Sequence, residues 1–281
     1  MDMKILGLVD GDTSSAYIVM RDIARYSRNN IDVQSWVPNL DMSGYDLVYI
    51  HSGILLSEFN PSVVEAVMNL EVPVMAGLRG MLNWKRWVNT DGLTYRPFVD
   101  KISAILCSNR SFLNVSKRIS STPAYLAPSC IDPTLFVPTP APLNFTVGFV
   151  GHRDHGSKGY AKFKTLPWVQ SVADGSIPHS EMPQFYNGVS VYCCTSNEEG
   201  APVPPKEAAS CGRPVCSFSV GDIQDWLPKK LIASDITDMS RIIRELQYRD
   251  AWRAAALACF EAVEPYYAQV VAKTYDTIFE S

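Results

Sequence analysis

The sequence predicts an α/β protein built from two doubly wound parallel sheets. Short apolar runs of strand length alternate with amphipathic stretches of helical spacing, the pattern of parallel strands joined by right-handed crossovers. That alternation runs once, breaks, and then restarts. The break is DPTLFVPTPAPL, residues 132–143, with four prolines in twelve positions, the best linker candidate in the chain.

In the first series, MKILGLV (3–9) reads as a buried strand. SSAYIVMRDIARYS (14–27) follows as a helix with Thr13 or Ser14 as its cap. DVQSWV and YDLVYIH (45–51) read as strands, and PSVVEAVMNL opens a helix on proline. VPVMAG (72–77) and ISAILCS (102–108) are strands, NRSFLNVSKRIS (109–120) is a helix, and PAYLAP closes the series. In the second series NFTVGFVG, VSVYCC and RPVCSFS are strands, and PPKEAASC is a short helix between the last two. DITDMSRIIRELQYRD, AWRAAALACFEAVE and YYAQVVAKTYDTIFE are closing helices. Two such sheets place ligands beyond the carboxyl ends of their strands.

Composition bounds the rest. The chain has 281 residues, 47% hydrophobic and 19% charged, an ordinary globular balance for about two domains. A net charge of -4 gives no support to a broad nucleic-acid-binding face. No apolar run reaches the length of a membrane span. The amino-terminal MDMKILGLVDGD lacks a cleavage-site pattern and reads as a strand, not a signal peptide. Seven cysteines without a C-x-x-C pair, most in apolar runs, read as reduced thiols of a cytoplasmic protein.

The most informative stretch is TSNEEGAPVPPKEAASCGRPV (195–215). Glu199 and Glu207 flank a connector with three prolines. VYCC is a strand, so EEGAPV is the loop at its carboxyl end. Pro204 and Pro205 suit the first turn of a helix and Gly212 suits its end. Two carboxylates held apart by a stiff loop can each accept from hydroxyl pairs while nearby amides face an anion. A nucleotide sugar presents those groups together: a ribose diol, a diphosphate and sugar hydroxyls.

This stretch resembles the retaining glycosyltransferases of family 4, whose pattern runs roughly S-x-x-E-G-(loop)-P-P-x-E-A-x-A-x-G-x-P-V. Ser196, Glu199, Gly200, Pro204, Pro205, Glu207, Ala208, Gly212, Pro214 and Val215 carry the match. EMPQFYNGVSVY resembles the helix and strand before it. VGDIQDWL resembles V-G-G-x-x-E, with Asp222 for a glycine and Asp225 for the acid. FVGHRDHGSKGY resembles the family's G-R-x-x-x-x-K-G, with Arg153 and Lys158 at the matching separation. APSCIDPTLFVP resembles P-N-G-x-D-x-x-x-F-x-P, with Ser129 and Cys130 for Asn-Gly and with Asp132, Phe136 and Pro138 in place. The resemblance is clear from about residue 100 to 228 and weak before it. It is to a short member, since the family is commonly longer.

The resemblance implies a GT-B fold: two Rossmann-like domains facing across a cleft, with a carboxyl-terminal helix crossing between them. Residues 1–138 would form the acceptor-side domain and 139–260 the nucleotide-sugar domain, with 261–281 packing back on their interface. It implies transfer of a sugar from a nucleotide sugar, UDP- or GDP-linked, to an acceptor hydroxyl with retention. No metal and no cofactor would be required. Glu199 would orient the transferred sugar, and Arg153 and Lys158 would hold the diphosphate. Glu207 would accept from the ribose hydroxyls. Gly200, Ala201 and Val203 would offer backbone amides, whereas Pro202 cannot. Gly11, Asp12 and Thr13 would approach the donor phosphate and acceptor. Arg79 stands where many members carry a histidine near the acceptor, and His51 ends a strand that would face the cleft. The acceptor would be a glycan, a lipid-linked sugar or a small metabolite, with a nucleic acid disfavoured by the charge.

Plainer readings stand beside these. Glu199 and Glu207 are also acids favoured at a helix start, and Arg153 and Lys158 are also ordinary surface cations. Asp10-Gly11-Asp12 reads as a turn rather than a metal motif. His152 with His155, and Cys193 with Cys194, lack a second ligand pair. His51 is equally a satisfied structural histidine. NWKRW (83–87) reads first as an amphipathic surface and second as a stacking site. Two rival functions remain: a catalytically silent sugar-nucleotide-binding module, and another GT-B enzyme such as a sugar-nucleotide epimerase.

Overall fold

The computed structural model describes residues 2–12, 14–51, 61–80 and 101–281. Thr13 and the NWKRW stretch lie outside the described residues. The chain divides into two compact units, Met1–Cys130 with Ala268–Ser281, and Ile131–Tyr267.

The first unit carries a six-stranded sheet in the order β2-β1-β3-β4-β5-β6. The strands are β1 Lys4–Val9, β2 Asn30–Ser35, β3 Leu47–Ile50, β4 Val74–Leu78, β5 Ile102–Cys107 and β6 Ala124–Leu126. Every pairing is parallel. Strands β3 and β4 are buried along their whole length, as expected of central parallel strands covered on both faces. Helix Ser15–Tyr26 begins where Ser14 Oγ accepts from the Tyr17 amide and buries Val19, Met20 and Ile23. Gly7 lets that helix approach β1, because a Cβ there would lie 2.9 Å from the Met20 methyl.

The closing helix, Ala268–Phe279, is tied to the first unit by polar contacts. Asp276 accepts from the Ser27 hydroxyl, from the Arg28 amide at 3.1 Å and from Asn29 Nδ2 at 3.0 Å. Arg28 pairs with Glu280. Tyr275 accepts from Arg79 at 2.9 Å, and its ring packs on Tyr49 and Phe279. The sequence reading runs this element over 261–281; the helix itself spans Ala268–Phe279, and residues up to Tyr267 belong to the second unit.

The second unit carries a five-stranded parallel sheet in the order β11-β10-β9-β7-β8. Its strands are β7 Thr146–Val150, β8 Val169–Ala173, β9 Val191–Cys194, β10 Val215–Phe218 and β11 Ile232–Ala233. Helix Pro204–Ser210 joins β9 to β10, and Ile236–Glu245 and Arg249–Val263 complete the layer. All seven cysteines are buried, and none is joined in a disulfide. Burial pushes the Cys193 and Cys216 thiols well up and Cys259 to about 12, so they act as packing groups.

The two compact units divide between Cys130 and Ile131, whereas the sequence reading places the division at 138. The proline-rich stretch is not a free connector. Phe136 is 1% exposed, and its carbonyl accepts from Ser210 Oγ at 2.8 Å. Buried Arg213 donates to the Thr139 and Pro140 carbonyls and to Asn187 Oδ1. These bonds fasten residues 136–140 to the second unit. Strand β8 escaped the sequence reading because it is an edge strand, with Val169 69% exposed and little apolar run to mark it. Among the described residues no helix is long and apolar enough to cross a membrane.

His51, at the end of β3, is 2% exposed, and its Nδ1 lies 3.2 Å from the Tyr49 hydroxyl. Burial, with Arg79 nearby, pushes its pKa well below that of an ordinary imidazole. The folded protein therefore binds one proton fewer at this site than the unfolded chain as pH falls below about 6.5. Stability attached to His51 is present at neutral pH and is lost on acidification. Going from about pH 7.5 to about pH 5, this site should therefore lower the stability of the fold. Thermal melts at both values should show a smaller acid loss for His51→Gln than for wild type.

Candidate functional site

Doubly wound sheets open a crevice where successive crossovers leave for opposite sides, beyond the carboxyl ends of the flanking strands. In the second unit the chain moves from β7 out to β8 and then back past β7 to β9. The switch point therefore lies between β7 and β9. The loop after β7 holds Arg153 and Lys158, and the loop after β9 holds Glu199 and Gly200. In the first unit the corresponding switch lies between β1 and β3, whose ends hold Gly11, Asp12 and His51.

Close backbone contacts stitch the two loops of the second unit together. Gly159 has φ +73, and a Cβ there would sit 1.9 Å from the Thr195 carbonyl oxygen, so only glycine fits. Thr195 Oγ1 donates to the Gly159 carbonyl at 3.0 Å, and the Asn197 amide donates to the Ser157 carbonyl at 2.7 Å. This stitching delivers Lys158 to Glu199. Lys158 Nζ donates to Glu199 Oε1 at 2.7 Å, and Ser196 Oγ donates to the same oxygen at 2.8 Å. The Glu199 side chain is 14% exposed and that of Lys158 35%, so the pair is partly shielded yet reachable.

Arg153 is not brought to this pair. It is half exposed, 3.5 Å from Asp174 at the end of β8, with its guanidinium over the Tyr160 ring. Lys158 and Arg153 therefore act from separate positions on one loop.

Glu207 has a different environment. It is 4% exposed on the first turn of Pro204–Ser210. Tyr186 donates to its Oε2 at 2.6 Å, and His179 Nε2 stands 2.9 Å from its Oε1. Burial, then the Glu207 charge, holds the Tyr186 hydroxyl well above its ordinary pKa, so it remains a donor. The Phe136 ring packs edge-on against both His179 and Tyr186. Neither His179 nor Phe136 is marked by the spacing of the acids. They meet Glu207 only through tertiary packing.

The neighbouring residue, Lys206, is fully buried on the other side of the helix. Its Nζ donates to Asp222 Oδ2 at 2.6 Å and to the Pro202 carbonyl at 3.2 Å, beside the rings of Tyr266 and Trp226. This cluster holds the connector between the acids. Gly221, at φ +56, lies so close that a Cβ would be 2.6 Å from the Gly200 carbonyl oxygen and 2.9 Å from Pro202 Cδ. Gly200 is buried, and Ala201 and Val203 are half-buried at the loop's surface.

In the first unit the Ser14 amide and hydroxyl both donate to the Gly11 carbonyl, which fixes the turn after β1, and Asp12 is exposed. Arg79 donates to the Ala127 carbonyl, to Tyr275 and to Ser129 Oγ at 2.8 Å. Its guanidinium thus fastens the segment after β6 and the closing helix.

No protein-family model matches the sequence, and no curated protein matches it significantly. Solved structures do match in fold. A crystal structure of HepE from Anabaena in complex with UDP and glucose gives a TM-score of 0.76 at 14% identity, covering 99% of this chain and 99% of that one. Sucrose-phosphate synthase from Thermosynechococcus elongatus gives 0.77 at 14% identity, covering 99% and 98%. A mutant TarM from S. aureus, in complex with Fondaparinux, alpha-GlcNAc-glycerol and UDP, gives 0.63 at 12% identity, covering 84% and 55%. The fold is that of the GT-B glycosyltransferases.

Removing one partner of a fully buried ion pair leaves an uncompensated charge, typically at 3–5 kcal/mol, whereas replacing both by apolar groups is often neutral. Asp222→Ala should therefore lose about 3–5 kcal/mol of stability in urea unfolding. Adding Lys206→Met to it should recover most of that loss.

Proposed function

We propose that the protein is a retaining glycosyltransferase that moves a sugar from a nucleoside diphosphate sugar to an acceptor hydroxyl, with no metal required. The observation that carries this reading is the Lys158–Glu199 pair at the switch point between β7 and β9, next to a separately braced Glu207. A cation, a partly exposed carboxylate and a nearly buried carboxylate match the diphosphate, the transferred sugar and the ribose. UDP is named with the HepE and TarM structures, which favours a uridine donor over a guanosine one.

Both contacts on Glu199 fall on Oε1. We assign Oε2 to the hydroxyls of the transferred sugar. An ammonium has three N–H donors, and Lys158 gives one to Glu199. The other two serve the diphosphate oxygens. As the glycosidic C–O bond breaks, the electron pair goes to the leaving diphosphate, and Lys158 stabilises the growing negative charge. Arg153, on the same loop, adds a second cation. The acceptor hydroxyl attacks from the face that the diphosphate leaves, and its proton passes to a diphosphate oxygen. The protein's share is positioning and charge stabilisation, with no side-chain nucleophile. The acceptor is a glycan, a lipid-linked sugar or a small metabolite, and the transfer takes place in the cytoplasm.

Thermal shift with UDP, GDP and UDP-glucose tests the reading. A ligand at about a hundred times its Kd stabilises the native state by about 2.7 kcal/mol. At least one nucleotide should raise the wild-type Tm, and Glu207→Ala should abolish the shift. If none does so, the reading fails. Where turnover is found, Lys158→Ala should lower kcat by about 10²–10³-fold, measured by release of the nucleoside diphosphate.

A further inference from the structure

Glu207 is an unusual group to offer a ligand. A carboxylate with 5% side-chain exposure presents little surface, and each of its oxygens already has a partner. The way the partners divide is informative. Tyr186 is fully buried and takes Oε2 from the interior. The His179 side chain is 23% exposed and takes Oε1 from the side open to solvent.

A carboxylate only accepts, so His179 must carry its proton on Nε2. The ring also packs edge-on against Phe136, with centroids 5.4 Å apart at 70°. Pro178 precedes it, and residues 179–181 form a single 3-10 turn. The imidazole is therefore fixed by a ring, a turn and a carboxylate. Each carboxylate oxygen has two lone pairs, so one donor on each still leaves capacity for hydroxyls. What the two donors remove is rotation of the carboxylate about its terminal bond.

We propose that His179 is a positioning residue for the nucleoside ribose. With Tyr186 it locks the plane of Glu207, so that the remaining lone pairs meet the 2′- and 3′-hydroxyls together. This rests on the function proposed above. A vicinal diol is recognised by two bonds to one carboxylate only when that carboxylate is preoriented, since otherwise part of the gain is spent on ordering it. The pair His179–Glu207 is thus the element that distinguishes a ribose from a sugar lacking those hydroxyls.

Isothermal titration separates this role from a structural one. UDP or GDP, whichever the wild-type protein binds, is compared with its 2′,3′-dideoxy counterpart. The proteins are wild type, His179→Ala, His179→Gln and Tyr186→Phe, each checked by its Tm. Wild type should bind the ribonucleotide about tenfold or more tightly than the dideoxynucleotide, the scale of one well-made hydrogen bond to a charged group. His179→Ala should lose most of that ratio while keeping its dideoxynucleotide affinity. His179→Gln, whose amide can donate to Glu207, should restore it. Equal weakening of both ligands by His179→Ala, or no change in either, overturns the proposal and leaves the donor reading intact. Wild type that binds neither UDP nor GDP overturns both. If His179→Ala is unfolded, Tyr186→Phe and His179→Gln decide: Tyr186→Phe should lower the ratio and His179→Gln should keep it, and failure of either expectation in a folded variant overturns the proposal.

Discussion

The arrangement of the second unit turns on two adjacent buried charges. Lys206 and Glu207 follow one another on a short helix, and both are nearly removed from water. Neighbouring residues on a helix point about 100° apart, so one polar cluster cannot satisfy both. The fold answers with two clusters. Lys206 looks toward the turn after β10, where Asp222, the Pro202 carbonyl and two aromatic rings receive it. Glu207 looks toward the helix before β9, where Tyr186 and His179 donate to it. An unpaired charge in either place would cost several kcal/mol, so the helix can dock in one orientation only. That orientation also fixes the loop ahead of it, and with the loop, Glu199.

A second constraint is close backbone approach. The Lys158 loop rests directly on the end of β9, with a glycine where a side chain would overlap a carbonyl. The connector rests on Gly221 in the same way. Loops held through backbone contact leave their side chains available for other work. This is why Lys158 and Glu199, forty-one residues apart, meet at 2.7 Å without a hydrophobic core between them.

The fold was largely legible because central parallel strands must be apolar throughout, and such runs are visible in MKILGLV, YDLVYI and VYCC. The edge strand β8 and the two-residue β11 carry no such run and were not read. The proline-rich stretch 132–143 is a related case. Four prolines mark extended backbone, but whether that backbone is free depends on Ser210 and Arg213, which lie far along the chain. The acids and cations of the site were legible through their pattern. Their partners were not: His179 is twenty-eight residues from Glu207, and Asp174 twenty-one from Arg153, and neither spacing carries a signal.

Two residues depart from the family-like pattern in a way the packing explains. Asp222 stands for a glycine and Arg79 for a histidine. In the folded chain each is matched. Asp222 receives the ammonium of Lys206, a position the pattern leaves open. Arg79 donates to Ser129, which itself stands where the pattern has asparagine. Here a buried carboxylate and a half-buried guanidinium have both found partners, and in one case the partner is another departure. Each unit thus carries a departure from the pattern that its own packing accommodates.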